Sequence, residues 1–288
     1  MKGWKVFIVI LAPAALAPAM RGANPQDANG IVSRSVEHTE ADWNAAPQYT
    51  FREHDDITKG GRREVRDYQV IMLEGSPYDK LIAKDGKPLN SAEGAEAEEK
   101  LKRETQRRRS ESPQARAKRI AQYNRERHQD HALLREMIAS FVYRLAGTES
   151  MNGRTCFRID ASPKPGYVPK SRETKVLTGM RGTLWIDTSD YQWVKVAAEV
   201  FRPVAFGLFV AHVEPGTEFV LEQAPEGGGL WLPSHFLTKV NAKVLVWTHN
   251  SVDDETYSHY EKIPAANGTP TVDGLTQHGS RPPRAVEK

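Results

Sequence analysis

The stretch FVYRLAGTESMNGRTCFRI, residues 141–159, decides the fold of this chain. On both sides of Asn152-Gly153, apolar and polar side chains alternate, which is the pattern of half-buried strands. An Asn-Gly pair marks a tight turn because both positions tolerate positive φ. The stretch therefore predicts an antiparallel hairpin.

The same alternation recurs along much of the chain, and Asp85-Gly86 repeats the turn signal. Further alternating runs cover residues 64–74, 78–84, 182–187, 192–201, 218–223, 230–232, 235–240, 242–248 and 256–263. We therefore expect an α+β fold, built on a curved antiparallel β-sheet that meanders into an incomplete barrel of about nine to ten strands.

One segment, residues 90–140, breaks this pattern because it is rich in strong helix formers. Asn90 with Glu93 three residues later forms a capping pair, and Ser112 followed by Pro113 marks a second helix start. We expect two helices that leave the sheet and return to it. The end of the second helix should pack on the sheet through Leu133, Leu134, Met137, Ile138 and Phe141.

The first residues carry Lys2 and Lys5, followed by an apolar run from Val6 to Leu16. A helix that spans a bilayer needs about 20 apolar residues, so this run is too short to be one. Ala17 and Ala19 are small residues of the kind that a signal peptidase reads, and Gly22-Ala23 is a second possible cleavage site. We predict a cleavable signal peptide and therefore a periplasmic protein.

Four parts of the chain follow from these patterns. They are a signal peptide at 1–23, a polar and poorly ordered segment at 24–48, a single β domain at 49–263 with the helical insertion at about 90–140, and a disordered tail at 264–288.

Composition restricts the chemistry that the chain can perform. Cys156 is the only cysteine, so no intramolecular disulfide can form, and its setting between Thr155 and Phe157 is typical of a buried thiol. The mean hydropathy of −0.59 and a charged fraction of 27% are typical of a water-soluble protein. A net charge of +3 does not by itself indicate a nucleic-acid or membrane partner.

Charge is nevertheless concentrated in the helical insertion. Residues 100–127 contain eleven Lys or Arg against three Glu. This segment is either a solvated helical face, which we favour, or a surface that binds anionic lipid headgroups. Nucleic acid is a less favoured ligand, because the protein is expected to be exported and the segment lacks interleaved aromatic residues. The candidates for an anionic surface are Arg107, Arg108, Arg109, Arg116, Lys118 and Arg119.

Catalytic and metal-binding signatures are weak. Gly-x-Ser-x-Gly, Ser-x-x-Lys, paired-cysteine and phosphate-loop motifs do not occur. His128 and His131 share a helix face but lack a third ligand at zinc-site spacing. The acidic run 253–255 could hold a cation, although a solvated turn is the simpler interpretation. We therefore predict no catalytic residue, no metal and no cofactor, and a protein that is not an enzyme. The other histidines that fall in or beside predicted strands are His212, His235, His249 and His259.

Aromatic residues are concentrated between residues 180 and 250. They could line an apolar cavity, whereas ordinary core packing would explain the same residues. The candidates for a cavity lining are Trp185, Trp193, Phe206, Phe209, Phe219, Trp231, Phe236 and Trp247.

Several of these strand motifs together resemble the LolA/LolB-type outer-membrane lipoprotein-carrier superfamily. They are the run 141–149, Gly153-Arg154-Thr155-Cys156, the GTLWID run 182–187, the WVKV run 193–196 and the LWLP run 230–233. The resemblance covers about residues 67–263. It implies an incomplete antiparallel barrel closed on one side by helices, with an apolar cavity for acyl chains. The long basic insertion departs from what a small carrier needs.

Two functions follow from the resemblance and the aromatic-rich sheet. The leading one is a non-catalytic periplasmic carrier or binding protein for a lipid, an acylated protein or another hydrophobic ligand. The alternative is an interaction or sensor protein of the cell envelope, which binds a protein partner through the same fold. An anionic membrane surface remains a further candidate partner, and nucleic acid is not expected.

Overall fold

The computed structural model describes residues 25–264 apart from positions 172, 207–210, 228 and 246. Within these, the side chains of residues 25–27, 129–134, 173, 206 and 211 are not described. The predicted signal peptide and the tail beyond Pro264 lie outside the described residues.

Thirteen strands of the described chain form one antiparallel sheet. They are β1 Tyr49–Lys59, β2 Arg62–Leu73, β3 Ser76–Lys84, β4 Lys87–Pro88, β5 Phe141–Met151, β6 Arg154–Pro163, β7 Met180–Asp187, β8 Trp193–Val200, β9 Val204–Phe206, β10 Ala211–Val213, β11 Glu218–Glu226, β12 Leu230–Val244 and β13 Trp247–Lys262. The main path runs β4-β3-β2-β1-β13-β12-β11-β8-β7-β6-β5, with β9 and β10 beside β12. The sheet does not close on itself, so the predicted fold class is confirmed, with more strands than expected.

Three α-helices accompany the sheet: α1 Pro25–Ala45, α2 Ser91–Arg109 and α3 Pro113–Ser140. Short 3-10 helices cover Ala46–Gln48 and Glu173–Gly179. None of the helices in the described part of the chain has the length and apolar content needed to cross a bilayer.

Both predicted helix starts are confirmed. Asn90 Oδ1 accepts from the Glu93 N–H at 3.0 Å, and Glu93 Oε2 accepts from the Asn90 N–H at 3.1 Å, which is a capping box. Ser112 Oγ accepts from the Ala115 N–H at 3.2 Å. The helical insertion is therefore two helices, as expected.

Both predicted hairpin turns are also confirmed. Asn152 and Gly153 have φ values of 50° and 76°, and Asp85 and Gly86 have values of 52° and 72°. These are the left-handed conformations that Asn, Asp and Gly accept most readily.

The segment at 24–48 differs from the expectation, since residues 25–45 form α1 and not a poorly ordered chain. Ala28, Val32, Val36 and Trp43 lie at helical spacing and are buried against the sheet. The polar residues between them, several of which are buried too, concealed this period in the sequence.

The strand boundaries also differ towards the C-terminus. The runs 230–232 and 235–240 and the first three residues of the run 242–248 are one continuous strand, β12. The run 256–263 falls in the second half of a long β13, which ends at Lys262. Pro233 lies within β12 where the register between β11 and β12 shifts, a position that tolerates proline. Strand β1 was missed, and it pairs with β13 to join two meanders.

The two faces of the sheet have different environments. The helix-covered face holds the main core, which includes Tyr143, Ile159, Leu184, Ile186 and Trp193 beneath α1. The opposite face, called the open face below, has a smaller cluster of Cys156, Val194 and Trp231. Met137 and Ile138 at the end of α3 pack against the main core, as predicted.

Candidate binding surfaces

The first candidate surface is the apolar part of the sheet beneath α1. Helix α1 touches β5, β7 and β12, so it crosses several strands. Its buried apolar residues are small or medium in size, apart from Trp43 at its end. The strands below contribute larger side chains, such as Leu184, Ile186 and Trp193. An apolar surface therefore lies under α1, with the end of α3 and the 3-10 helix Glu173–Gly179 packed beside it.

Polar groups of α1 are buried in the same contact. Ser35 is fully buried, and its Oγ accepts from Trp193 Nε1 at 2.9 Å. Asp42 Oδ2 accepts from Gln192 Nε2 at 2.5 Å. Burial raises the pKa of Asp42, although hydrogen bonds from the Trp231 backbone and the Gln192 side chain oppose this. Because water can replace these partners, the contact is less costly to open than a purely apolar one.

Some polar atoms in this contact have no hydrogen-bond partner among the described residues. The hydroxyl of Thr39, which is fully buried, and Oε1 of Gln192 are two examples. A buried polar atom that lacks a partner destabilises the packed state. The contact between α1 and the sheet is therefore not optimised for tight packing.

The eight aromatic candidates do not line one cavity. Trp193 and Phe219 belong to the core under α1, whereas Trp231 and Trp185 belong to the cluster on the open face. Phe236 pairs with Leu221 on the helix-covered face, and Trp247 is 70% exposed at the start of β13. Phe206 lies in β9 with its side chain outside the described residues, and Phe209 lies outside them altogether.

Four arginines of α2 and α3 hold the helices on the sheet. The Arg108 side chain is buried, and its two terminal nitrogens donate to the carbonyls of Leu73, Ser76 and Pro77 at 2.8–3.1 Å. Arg119 donates to Ser76 Oγ at 2.8 Å. We call Arg108 and Arg119, together with the β2–β3 turn that they grip, the arginine clamp.

Glutamates complete the clamp. Glu104 accepts from Arg107 at 2.6 Å and from Arg108 at 2.5 Å, and the first of these hydrogen bonds does most to lower the pKa of Glu104 to about 2. Glu111 pairs with Arg119 at 2.7 Å, which lowers the Glu111 pKa.

Five of the six predicted cationic candidates are thus engaged within the protein. Arg109 and Arg116 pair with Glu74 at 3.1 and 3.3 Å, and Arg107 pairs with Glu104 and Glu111. Lys118 is exposed and makes no ion pair among the described residues. The sequence showed only the concentration of charge, because the β2–β3 turn that the arginines grip lies more than 30 positions away.

Three of the motifs that carried the resemblance meet at one end of the open face. Arg154 donates to Asp187 and Asp190 at 2.6 Å each, and its guanidinium lies 4.9 Å from the centre of the Trp231 ring. Asp187 Oδ1 also accepts from the N–H groups of Ser189 and Asp190, which fixes the β7–β8 turn. These residues stabilise the sheet where β6, β7, β8 and β12 come together.

Cys156 is fully buried beside this group. Burial raises the pKa of its thiol to about 11, so it is protonated at neutral pH. Its environment is that of a packing residue and not of a nucleophile.

The second candidate surface is an open groove of about 690 Å³ across β5, β6, β7, β8 and β11 on the open face. Val142, Ala197 and Val220 contribute apolar side chains to its floor. Cross-strand ion pairs frame it, including Arg181–Glu199 at 2.7 Å and Lys239–Glu218 at 3.5 Å. The groove therefore combines an apolar floor with charges of both signs.

An acidic cluster was not predicted. Glu53, Asp55 and Glu255 are buried and bring ligand atoms within 4.8 Å of one another. The only signals were the i, i+2 spacing on β1 and the acidic run 253–255, which lies within β13 and contributes Glu255 alone. The Tyr257 hydroxyl donates to Glu255.

The histidines occupy separate places. His128 is exposed on α3, and the side chain of His131 lies outside the described residues. His235 Nε2 lies 2.8 Å from Asp254 Oδ1, while His212 is on β10 and His249 is exposed on β13. His259 lines a pocket on the open face with His54.

No family model and no curated protein matches the sequence. Among solved structures, the chain is similar to a DUF1329 family protein from Desulfovibrio piger, with 11% identity over 85% of this chain and 96% of that one and a TM-score of 0.34. It is similar to a putative outer membrane lipoprotein-sorting protein domain from Vibrio parahaemolyticus, with 9% identity over 85% and 95% and a TM-score of 0.34.

A third similar structure is a LolA superfamily protein from Nitrosomonas europaea, with 12% identity over 83% of this chain and 94% of that one and a TM-score of 0.30. The superfamily that the sequence motifs resemble is thus among the structural matches, at low identity. At these values the matches describe what the chain is similar to, and they assign it no ligand, partner or activity.

Proposed function

We propose that this protein is a non-catalytic periplasmic carrier or binding protein for a hydrophobic ligand, such as a lipid or the acyl chains of an acylated protein. The ligand would bind to the apolar face of the sheet that α1 covers. One observation carries the proposal: α1 covers this surface through a contact that buries Ser35, Thr39 and Asp42 among apolar residues.

The physical argument compares the two sides of the contact. Exposing Leu184, Ile186 and Trp193 to water would cost the hydrophobic free energy of their burial, on the order of 2 kcal/mol for each side chain. A displaced α1 would return its serine, threonine and aspartate side chains to water at little loss. An apolar ligand that replaced α1 would keep the sheet face covered, so the exchange can be close to balanced.

The direct test is native mass spectrometry of the protein exported to the periplasm, followed by organic extraction and lipid identification. A bound acyl species at fixed stoichiometry would support the proposal. Protein that is empty after export, and that takes up no fluorescent fatty acid, would contradict it.

A matched pair of variants makes this test specific to α1. Ser35→Ala removes the 2.9 Å bond to Trp193 and should speed the uptake of the fatty acid, because α1 is released more often. Ser150→Ala, at an exposed position on β5, is the control and should leave the rate unchanged. Equal rates of fatty-acid uptake for the two variants would show that uptake does not depend on the release of α1.

The open-face groove favours the alternative, an envelope protein that binds a protein partner. Val142 is 47% exposed at the groove, and charges of both signs surround it, as in many protein interfaces. A photo-crosslinking residue at position 142 should give one defined adduct in the envelope. The same residue at position 168, where Val168 is 78% exposed outside the groove, should give none. Identical adducts from both positions would count against a specific partner.

A further inference from the structure

Strand β13 contains an irregularity opposite β1. Thr50 pairs with Glu261 and Arg52 pairs with Ser258, so both His259 and Tyr260 lie opposite the single residue Phe51. An extra residue of this kind is a β-bulge, which changes the direction of the side chains that follow it.

His259 has a φ of 54°, which is left-handed. It is the one non-glycine residue in the described chain that adopts this conformation inside a strand. The other such residues lie in the turns and loops between strands, namely Glu74, Asp85, Asn152, Tyr191 and Leu245. A strained residue that is held inside a regular element is a marker of function.

The bulge interrupts the normal alternation of faces. Tyr260 packs against Phe51 with ring centres 5.2 Å apart and donates its hydroxyl to Pro233 O at 2.7 Å. Ser258 and His259, although adjacent in sequence, both line a pocket on the other face, and His259 Nδ1 lies 2.9 Å from Ser258 Oγ. The bulge thus adds an imidazole to the open face that a regular strand would not place there.

The pocket has a volume of about 460 Å³, and one arginine and two histidines line it together with Asp67 and Glu53. Arg52, the strand partner of Ser258, lines it, and His54 follows two residues later on the same face. His54 Nδ1 lies 2.7 Å from Asp67 Oδ1, which fixes the ring and directs Nε2 away from the carboxylate. Ile82, Ala83 and Pro88 form an apolar wall.

We propose that this pocket binds a phosphate group, either as free phosphate or as a phosphomonoester headgroup. The guanidinium of Arg52 supplies paired donors that match phosphate oxygens. In their protonated form the imidazoles of His54 and His259 donate from Nε2–H to phosphate, while Nδ1–H of His54 donates to Asp67 and Nδ1–H of His259 to Ser258 Oγ. The hydrogen of the Ser258 hydroxyl is then free to donate to phosphate as well. Asp67 is paired with His54, and Glu53, which also borders the pocket, has its carboxylate in the acidic cluster with Asp55 and Glu255. The proposal is independent of the ligand beneath α1.

The test is titration of the intact protein with sodium phosphate at constant ionic strength, observed through the imidazole NMR signals. Saturable shifts of the His54 and His259 signals are expected, with the His249 signal unchanged. Shifts that do not saturate, or that sodium chloride reproduces, would overturn the proposal.

Matched variants locate the site. Arg52→Ala and His259→Asn should each weaken phosphate binding about tenfold or more, the loss expected for a charge-assisted hydrogen bond. Asparagine is chosen at 259 because it tolerates a left-handed φ. The controls Arg62→Ala and His249→Asn, at exposed positions outside the pocket, should bind as the wild type does. Equal binding by the site variants and the controls would refute the assignment.

Vesicles distinguish the two sources of phosphate. If the protein floats with phosphatidic acid in phosphatidylcholine, but not with phosphatidylcholine alone, and Arg52→Ala abolishes this, the site takes a lipid headgroup. If only free phosphate binds, the site serves a soluble ligand. If neither probe binds, the proposal is wrong.

Discussion

The α1 contact and the arginine clamp attach helices to the same sheet by opposite means. In the clamp, Arg108 donates to three backbone carbonyls and to Ser76 Oγ, and its neighbour Glu104 is paired twice. Under α1, the Thr39 hydroxyl is buried with no hydrogen-bond partner among the described residues, and burial raises the pKa of Asp42. The clamp attaches α2 and α3 to the sheet by hydrogen bonds and ion pairs, whereas under the proposed function α1 is the helix that is released.

The two regions should also respond to pH in opposite directions. Glu104 has a lowered pKa and Asp42 a raised one. Protonation of Glu104 therefore weakens the clamp, whereas protonation of Asp42 stabilises the contact between α1 and the sheet. Four substitutions test this comparison.

Arg108→Ala should have the largest effect. It leaves several buried carbonyls of the β2–β3 turn without their donor, so we expect a loss of about 3–5 kcal/mol in the free energy of unfolding. Urea denaturation would measure it. Arg103→Ala, at an exposed position on α2, is the control and should change stability by less than about 0.5 kcal/mol. A loss in the free energy of unfolding no larger than that of the control would show that the clamp does not attach the helical insertion to the sheet.

Glu104→Gln should cost about 2 kcal/mol at neutral pH, because two charge-assisted hydrogen bonds become weaker. The folded pKa of Glu104 is about 2 against an ordinary value of 4.5, so its contribution is complete above pH 4.5 and is lost as the pH falls towards 2. Stability measured over this window should therefore fall more steeply in the wild type than in the variant. Glu99→Gln, an exposed glutamate on α2, is the control and should keep the wild-type slope.

Thr39→Val should stabilise the protein by about 1 kcal/mol, since it replaces a buried hydroxyl that lacks a partner with a methyl group. The same change should slow the uptake of a fluorescent fatty acid, because α1 leaves less often. Thr148→Val, at an exposed position on β5, should do neither. A stabilised variant with unchanged uptake would show that α1 does not control access.

Asp42→Asn should have the smallest effect at neutral pH, below about 1 kcal/mol. Because burial raises the pKa of Asp42, ionisation destabilises the fold as the pH rises above the ordinary value of 3.8. Relative to the wild type, the variant should therefore gain stability as the pH rises through this range. Denaturation curves at several pH values would show it, and a constant difference would mean that Asp42 is not desolvated.

Local signals were sufficient for much of the fold. The Asn152-Gly153 and Asp85-Gly86 turns and the caps at Asn90 and Ser112 depend on a few adjacent residues, and the structure has all of them. Helix α1 escaped prediction because its buried face includes Ser35 and Thr39, which weaken the helical period of apolar residues. Strand β1 escaped because it carries Glu53 and Asp55, buried charges that a strand rarely contains.

The candidate surfaces depend on contacts between distant residues, and this limits what the sequence can predict. The basic residues of α2 and α3 were interpreted as a solvated face or a surface for anionic lipid, yet Arg108 and Arg119 donate to backbone carbonyls of another hairpin. The bulge at His259 follows from the register between β1 and β13, which no local pattern specifies. Six aromatic candidates lie in strands as predicted, but their division between two faces required the registers of all the strands. They are Trp185, Trp193, Phe219, Trp231, Phe236 and Trp247.

Amide hydrogen exchange, measured by mass spectrometry on the ligand-free protein and again with a saturating fatty acid, tests the central claim most directly. The account predicts that the amides of α1 exchange faster than those of α2 and β5–β8, through local opening, and that the fatty acid changes exchange in α1 and in the strands beneath it. Exchange in α1 as slow as in β5–β8, and unchanged by the ligand, would contradict the account.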